Sequence, residues 1–499
     1  MTSSALRPRV ALLLWVSASL ACQTLFPPAA TPTVRPAPTF TATPPVRVTR
    51  TPAPTPVPGA SPLPTPTPPP ALISDVRACD YVPGLSVPAT MPPEVVNFVA
   101  PTPEPLPPLP PNTPVDSEKT GLQLRVQKEL WEIVNERYVY EDFNGQDWEA
   151  IGKQYEALIE GGLTDDDFYY AMNRMLWELG DDHSQFLSPQ EVAAEEATFA
   201  GGTDFVGAGY FLSPIPNSER AVILYTFPDS PAAEAGLRAH DVIVMANGQS
   251  PVDVDGFLNE AALRGPAGSE MTLTIERLSE ASFDVTIIRR RIVAALPVDY
   301  CAVRGTRIGY IFIPGLDDET VGDQVREALE ALTTDGPLEG VILDNRQNYG
   351  GADSVLEEIL GFFVEGKLGA FVSHRRSESL NIRAGPIGNS QSVPLVVLVD
   401  VDTVSFGEIM SGILQNEGRA TVVGQTTLGN VETLWGYDLA DGSLAWIAAQ
   451  TFQPNHLEPG IWEDTGIVPD ILAPTRWDLF TEATDPALAT AVELLSTNH

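Results

Sequence analysis

The chain reads as an α/β protein with a helical domain ahead of its core, a β-rich domain inserted before that core, and a Pro-rich segment leading in. Three observations carry this reading. From about 294 to 478, apolar strand-like runs alternate with amphipathic stretches, the pattern of a layered α/β core. From about 200 to 293, short strand-like runs are separated by Gly, Pro and Asp turns. Finally, about 30 of the 47 Pro residues lie before residue 115, so the chain joins two different materials end to end.

The composition sets limits. Among 499 residues there are 29 Lys and Arg against 66 Asp and Glu, a formal net charge of −37. Such a chain lacks the basic face that displaces counterions from a phosphate backbone, so no nucleic-acid partner is expected. Docking on anionic lipid through a basic patch is disfavoured for the same reason. A hydrophobic fraction of 43% is ample for a core.

Residues 1–22 read as an export signal. Arg7 and Arg9 precede a short apolar run from 10 to 21, too short to span a bilayer comfortably. The run ends in Ser19-Leu20-Ala21-Cys22, which resembles a bacterial lipoprotein signal in which the exposed Cys takes a lipid. Ser19 stands where Leu is usual, so plain cleavage after Ala21 or an uncleaved anchor stays open. Either way the expected location is extracytoplasmic, with the N-terminus as the sole membrane anchor. Residues 23–116 form a tether. Pro locks φ and removes a donor, so the stretches at 26–70 and 83–114 read as an extended, solvated spacer. Cys79 lies between them in a modest apolar patch. With Cys22 lipidated, Cys79 and Cys301 make an even pair, and either a disulfide or two buried thiols fits.

Residues 117–199 read as a helical domain. Leu122, Leu124, Val126, Leu130, Ile133 and Val134 recur at helical spacing, a second helix follows around 148–159, and a third runs over 165–179. In 200–293 strands are expected at 221–225, 242–246, 271–277 and 283–289. The core, 294–478, offers strands at 308–313, 341–343, 395–399, 421–423 and 444–451, with helices at 320–332, 352–363 and 405–415. Residues 479–499 close the chain as a helix or tail.

Two loops carry candidate chemistry. Ser405 follows the apolar strand 395–399 and opens a helix, beside unpaired N–H groups and the positive end of the helix dipole. Such groups can steady an oxyanion. Ser405 with Glu408 three residues on is equally a plain capping box. The second loop, Asp344 to Gly351, ends in paired Gly that let backbone N–H groups face a reacting atom, or merely permit a tight turn.

The segment 230–248, SPAAEAGLRAHDVIVMANG, resembles a PDZ domain, with His240 where that family often has Gly. The resemblance implies capture of extended chain ends by strand addition, with Gly207, Ala208, Gly209, Tyr210 and Phe211 as the peptide-binding loop. An ordinary Gly-rich turn is the alternative for that loop. The segments LDNRQNYGG (343–351) and VDVDTVSFGEIMSGIL (399–414) are similar to the C-terminal processing (tail-specific) serine peptidases. IGYIFIPGL, VVGQTTLGN and DTGIVPDI match further blocks in the same order, over roughly 117–478. The resemblance implies a crotonase/ClpP-like peptidase core, polypeptide substrates and no cofactor, with Ser405 as nucleophile and N–H groups of Gly350 or Gly351 and Phe406 as oxyanion hole.

One departure redirects the mechanism. Tail-specific members often pair the Ser with a Lys about 25 residues on, and here that position is Asn430. The turn around Asp181-Asp182-His183-Ser184 resembles the segment that supplies a general-base His in relatives of the tricorn protease core, and Glu463 matches their orienting Glu. A Ser405–His183–Glu463 triad is therefore expected, with Asp182 or Glu432 as other candidates for the third member. Both roles suit the chemistry, since an imidazole titrates near neutrality and a carboxylate behind it fixes its tautomer. No metal is expected: the five His are scattered without paired spacing. The missing Lys also leaves room for an inactive cell-surface peptide-binding protein, or more weakly a stalk protein.

Overall fold

The computed structural model describes residues 9–10, 73, 76–81 and 106–497, apart from 182, 194–203, 217, 255 and 294–296. Cys22 and most of the expected signal and tether lie outside the described residues. Arg9–Val10 pairs antiparallel with Trp435 and Gly436.

The first helix, Ser117–Arg137, begins where Asp116 accepts from the N–H groups of Glu118 and Lys119. Its inward stripe is Val126, Leu130, Ile133 and Val134, while Leu122 of the expected face points outward. Trp148–Glu160 is capped by Asp147, and Asp165–Trp177 by Thr164 with three Asp in its first turn, which suits the helix dipole. These helices bury Phe168, Met172 and Met175 against Leu434, Ala445 and Ile447 of a neighbouring sheet.

The core is a six-stranded sheet. Tyr300–Ala302 runs antiparallel at one edge, followed by Ile308–Phe312, Gly340–Asp344, Leu395–Val399, Thr421–Gly424 and Ile471–Leu472, all parallel. A parallel sheet covered on both faces needs strands that are apolar throughout, and Leu395–Val399 is buried at every position. Alternate residues divide between the faces. Ile311, Val341, Leu343, Val397 and Val399 pack under Val321–Thr333, Asp353–Phe363 and Phe406–Asn416. Tyr310, Ile342, Val396, Leu398 and Val423 pack under the terminal helix Pro486–Thr497.

A second sheet joins Thr433–Asp438, Leu444–Pro454, Gly366–Val372 and Ser377–Ile382, with Gln185–Leu187 added antiparallel to the start of Leu444–Pro454. The hairpin of Gly366–Val372 and Ser377–Ile382 is an addition to the sequence expectation. It bends at a bulge between Lys367 and Gly369.

The β-rich domain is an antiparallel sheet of Tyr210–Pro214, Ala221–Thr226, Val242–Ala246, Glu270–Glu276 and Phe283–Ile288, with Tyr210–Pro214 at one edge. It enters and leaves through paired strands, Asp204–Gly207 and Arg290–Val293. Cys79 and Cys301 form a disulfide closing 222 residues of chain, and the Cys79 N–H donates to Ala302 O at 2.9 Å. Of the two readings open for these thiols, the bonded one holds.

Candidate active site

Ser405 joins the apolar strand Leu395–Val399 to the buried helix Phe406–Asn416. Its φ of 55° and ψ of −125° are rare for a residue with a Cβ. The neighbouring chain holds it there. The Ser405 N–H donates to Asn430 O at 2.8 Å and to Glu408 Oε2 at 3.2 Å, while the Val404 N–H donates to Asn348 O at 2.8 Å. The expected capping-box spacing of Ser405 and Glu408 is realised, with the Glu408 carboxylate accepting from the Ser405 N–H.

Glu408 is the centre of this arrangement. It is fully buried, and Oε1 accepts from the Thr427 hydroxyl and, at 2.8 Å, from the Gly429 N–H. Oε2 accepts from the Asn430 N–H at 2.8 Å. Burial pushes its carboxyl up to about 7, against the donors that favour its charge. One carboxyl thus fixes both the loop 427–430 and the backbone of Ser405.

The loop 345–351 is sewn to the same helix. Asn345 Nδ2 donates to Gly407 O and Ser411 Oγ, each at 2.7 Å, and Asn348 Nδ2 donates to Asn345 Oδ1 at 2.7 Å. Gly350 has φ 90°, and a Cβ there would stand 2.7 Å from Ser405 Cβ and 3.0 Å from both Ser405 Oγ and Phe406 N. The Gly350 N–H donates to Asn348 Oδ1 at 2.9 Å. Gly350 and Phe406 therefore flank the Ser405 hydroxyl, with the Gly350 amide held by Asn348. Gly351 bridges to Leu316, its backbone pressed against 316–317.

His183 arrives from the helical domain. The turn after Asp165–Trp177 is fixed by Asp181, whose Oδ1 accepts from the N–H groups of His183 (3.1 Å) and Ser184 (2.6 Å). Ser184 Oγ in turn accepts from the Ala448 N–H at 3.1 Å. His183 is 5% exposed, and its Nε2 lies 2.7 Å from Glu463 Oε1. Glu463 Oε2 accepts from the Val431 N–H at 2.8 Å. Adjacent residues thus link the two halves: Asn430 receives the Ser405 N–H, and Val431 donates to the Glu463 that contacts His183.

Glu432 completes the surroundings of the imidazole. Its Oε2 is 4.0 Å from His183 Nε2. Burial raises its carboxyl to about 8, opposed by His183 and reinforced by the charges of Glu463 and Asp181. Tyr140 lies beside it, its phenol pushed up by burial. His183, Glu432 and Glu463 place one donor atom each within 4.8 Å of one another. Sequence spacing could not show this cluster, because its members sit at 183, 432 and 463. The positioning roles of Asn345, Asn348 and Tyr140 were also unread, while Glu408 was legible only as a capping partner.

In the β-rich domain, the carbonyls of Ala208 and Gly209 accept from the N–H groups of Ala232 (2.8 Å) and Phe227 (3.0 Å), and Ser230 Oγ donates to Gly209 O at 3.0 Å. Gly207 ends the entry strand and Tyr210 begins the edge strand. The Phe211 ring packs edge-on against Tyr349 of the loop beside Ser405, centroids 6.1 Å apart.

The chain matches the model of peptidase family S41 over 307–473, the tricorn protease C1 domain over 128–177 and the PDZ domain over 226–277. A carboxyl-terminal-processing protease of Synechocystis sp. is 30% identical over 369 residues, covering 72% of this chain and 82% of that protein. One from Picosynechococcus sp. is 28% identical over 380 residues, covering 74% and 88%. The solved structure of a photosystem II D1 C-terminal processing protease superposes with a TM-score of 0.51 at 25% identity, covering 72% of this chain and 94% of that one. With an elbow Ser seated on a helix N-terminus in an α/β core, and a PDZ domain ahead of it, this chain belongs to the C-terminal-processing peptidases of family S41 and is a serine peptidase.

Proposed function

We propose that the chain is an extracytoplasmic serine endopeptidase that cuts unfolded or tail-exposed polypeptides through a Ser405 acyl-enzyme, with His183 as general base and Glu463 as its orienting carboxylate. The observation that carries this reading is the 2.7 Å contact between His183 Nε2 and Glu463, tied through Val431 and Asn430 to the backbone of Ser405. Asn430 excludes a Ser–Lys pair at that position, so the proton must go elsewhere.

The chemistry follows from which nitrogen faces which group. Nε2 faces Glu463, so Nδ1 is the nitrogen that takes the Ser405 proton as Oγ attacks a peptide carbonyl. Glu463 then stabilises the imidazolium, which protonates the leaving amine. The N–H of Phe406, with Gly351 or a Gly350 released from Asn348, supports the oxyanion. Water resolves the acyl-enzyme by the same base.

The PDZ domain supplies substrate. Tyr210–Pro214 lies at the edge of its sheet, where an extended tail can add as a strand beside residues 207–211. The Cys79–Cys301 disulfide supports an oxidising, extracytoplasmic setting, and Cys22 is the proposed lipid anchor. Among the described residues no helix is long and apolar enough to cross a membrane.

The test is digestion of a disordered protein, with products read by mass. Ser405→Ala and His183→Ala should each lower kcat at least 10³-fold, and Glu463→Gln about 10²-fold or more. Full activity in His183→Ala beside a dead Ser405→Ala sinks the triad.

A further inference from the structure

The pocket behind the His183 ring holds more carboxylate than a triad requires. Glu463 Oε1 stands 2.7 Å from Nε2, and Glu432 Oε2 stands 4.0 Å from the same atom. Glu432 is 4% exposed, and its Oε2 is buried without a hydrogen-bond partner. A carboxyl oxygen without a hydrogen bond in such a place is costly, because burial removes its water and the His183 ring at 4.0 Å is too far to replace it. The charge of Asp181 presses on the same group. A positive ion between these oxygens and the imidazole would answer that cost.

The dimensions fit one class of ion. Zinc binds His nitrogen and carboxylate oxygen at about 2.0–2.2 Å, which sets tetrahedral ligands about 3.4 Å apart. One of the two separations here is shorter than that and the other longer. Opening the Glu463 contact by about 0.7 Å and closing the Glu432 one by about 0.6 Å brings both to that value, a shift within reach of side-chain rotation. All three donor atoms already lie within 4.8 Å of one another. One nitrogen and two oxygens suit a borderline transition metal better than calcium or magnesium, which take six or more oxygens or keep their waters. Glu463 retains 17% side-chain exposure, so the cluster opens to solvent on one side.

We propose that His183, Glu432 and Glu463 bind one divalent transition-metal ion, zinc in the first instance, and that this ion shuts the peptidase. The metal bonds to the Nε2 lone pair and to one oxygen of each Glu. The single proton of the neutral ring then resides on Nδ1, any further proton passing to buffer. An Nδ1 that carries hydrogen cannot accept the Ser405 proton, so hydrolysis stops while the nucleophile stays intact. Binding needs only the cluster; inhibition rests on the triad reading.

The experiment titrates full-length protein with zinc chloride against a chromophoric chelator, with native mass spectrometry for stoichiometry. Expected are one ion per chain at micromolar or tighter affinity, a rise in Tm with zinc, and no such rise with magnesium or calcium. Glu432→Gln and His183→Ala should each weaken binding at least tenfold, with Ser405→Ala binding as wild type. Glu432→Gln nearly preserves shape, so its loss of affinity does not reflect a collapsed fold. Absence of competition with the chelator, or unchanged affinity in both Glu432→Gln and His183→Ala, overturns the site. Peptidase turnover that persists at saturating zinc overturns the inhibition and His183 as base together, while leaving the binding result standing.

Discussion

At the scale of single residues, the proposed nucleophile Ser405 is held through its backbone by a fully buried carboxyl. Glu408 accepts from Thr427, Gly429, Asn430 and Ser405, so its two oxygens face only donors. Glu408→Gln would turn an NH₂ toward two of those donors and leave buried groups unsatisfied. The expected cost is about 1–3 kcal/mol of stability, with kcat falling on the order of 10²-fold because Ser405 loses its fixed backbone. Denaturant melts beside steady-state kinetics check both. The same group fixes a pH dependence. Its carboxyl is raised from 4.5 to about 7, so the folded state holds a proton that the unfolded chain has released. That stabilisation is complete below 4.5 and is lost as pH rises through 7, an effect of about 3 kcal/mol. Wild-type stability should therefore decline over this window more steeply than that of Glu408→Gln. Gly350 offers a cleaner probe of the proposed oxyanion side. A Cβ there meets Ser405 Cβ at 2.7 Å with φ at 90°. Gly350→Ala should lower kcat at least tenfold, with far smaller change in KM; equal kcat would remove Gly350 from the site.

At the scale of elements, the disulfide makes a contribution that can be separated by experiment. Cys79–Cys301 pins a short stretch of the Pro-rich segment to the edge strand Tyr300–Ala302 across 222 residues. Closing so long a loop restricts the unfolded chain, and removing it through Cys79→Ser with Cys301→Ser should cost about 2–4 kcal/mol. Reductant should lower Tm in wild type and leave the double variant unmoved; equal responses would show the bond contributes nothing. Composition had offered the pair as one of two readings, because spacing says nothing about Cα approach. The strands Ile308–Phe312, Gly340–Asp344 and Leu395–Val399 were legible because strands buried on both faces must be apolar throughout. The hairpin Gly366–Val372 with Ser377–Ile382 was not, since its burial follows no clean alternation and a bulge interrupts it. The strand-to-helix setting of Ser405 was readable, with a catalytic role and a capping box both open, but the side chains gathered near it were not. The meeting of His183 with Glu463 depends on strand Gln185–Leu187 pairing with Leu444–Trp446, a contact across more than 250 residues that no local pattern encodes. Only the family resemblance pointed there.

At the scale of the whole molecule, the PDZ domain rests on the core through two aromatic contacts with different chemistry. Phe211 meets Tyr349, one residue from Gly350. His240 stacks on Trp477 with centroids 4.6 Å apart, and its Nδ1 lies 3.0 Å from Trp477 O. Arg346 covers the Trp477 ring at 5.3 Å, and is itself held by Asp344 and Asp485. Burial holds His240 below its ordinary value, and the Arg346 charge acts in the same direction; Asp485, Asp241 and the Trp477 carbonyl oppose them. The docked domain thus prefers a neutral ring, whereas an undocked His240 in water takes a proton near 6.5. Docking is at full strength above that value and weakens as pH falls below it, because the undocked form then binds the proton more tightly. Hydrogen exchange across 204–293 should quicken between pH 7 and pH 5.5, after correction for intrinsic exchange, and His240→Phe should keep the stack while removing the pH response. Peptidase turnover should change with the same pH profile, since Phe211 leaves Tyr349 when the domain lifts and the Asn348–Gly350 turn loses its cover. An exchange profile that is flat with pH in wild type would remove the switch, and one equally steep in His240→Phe would assign the acid sensitivity to other groups, such as Asp400 and Asp402 beside Tyr349, whose carboxyls burial pushes up.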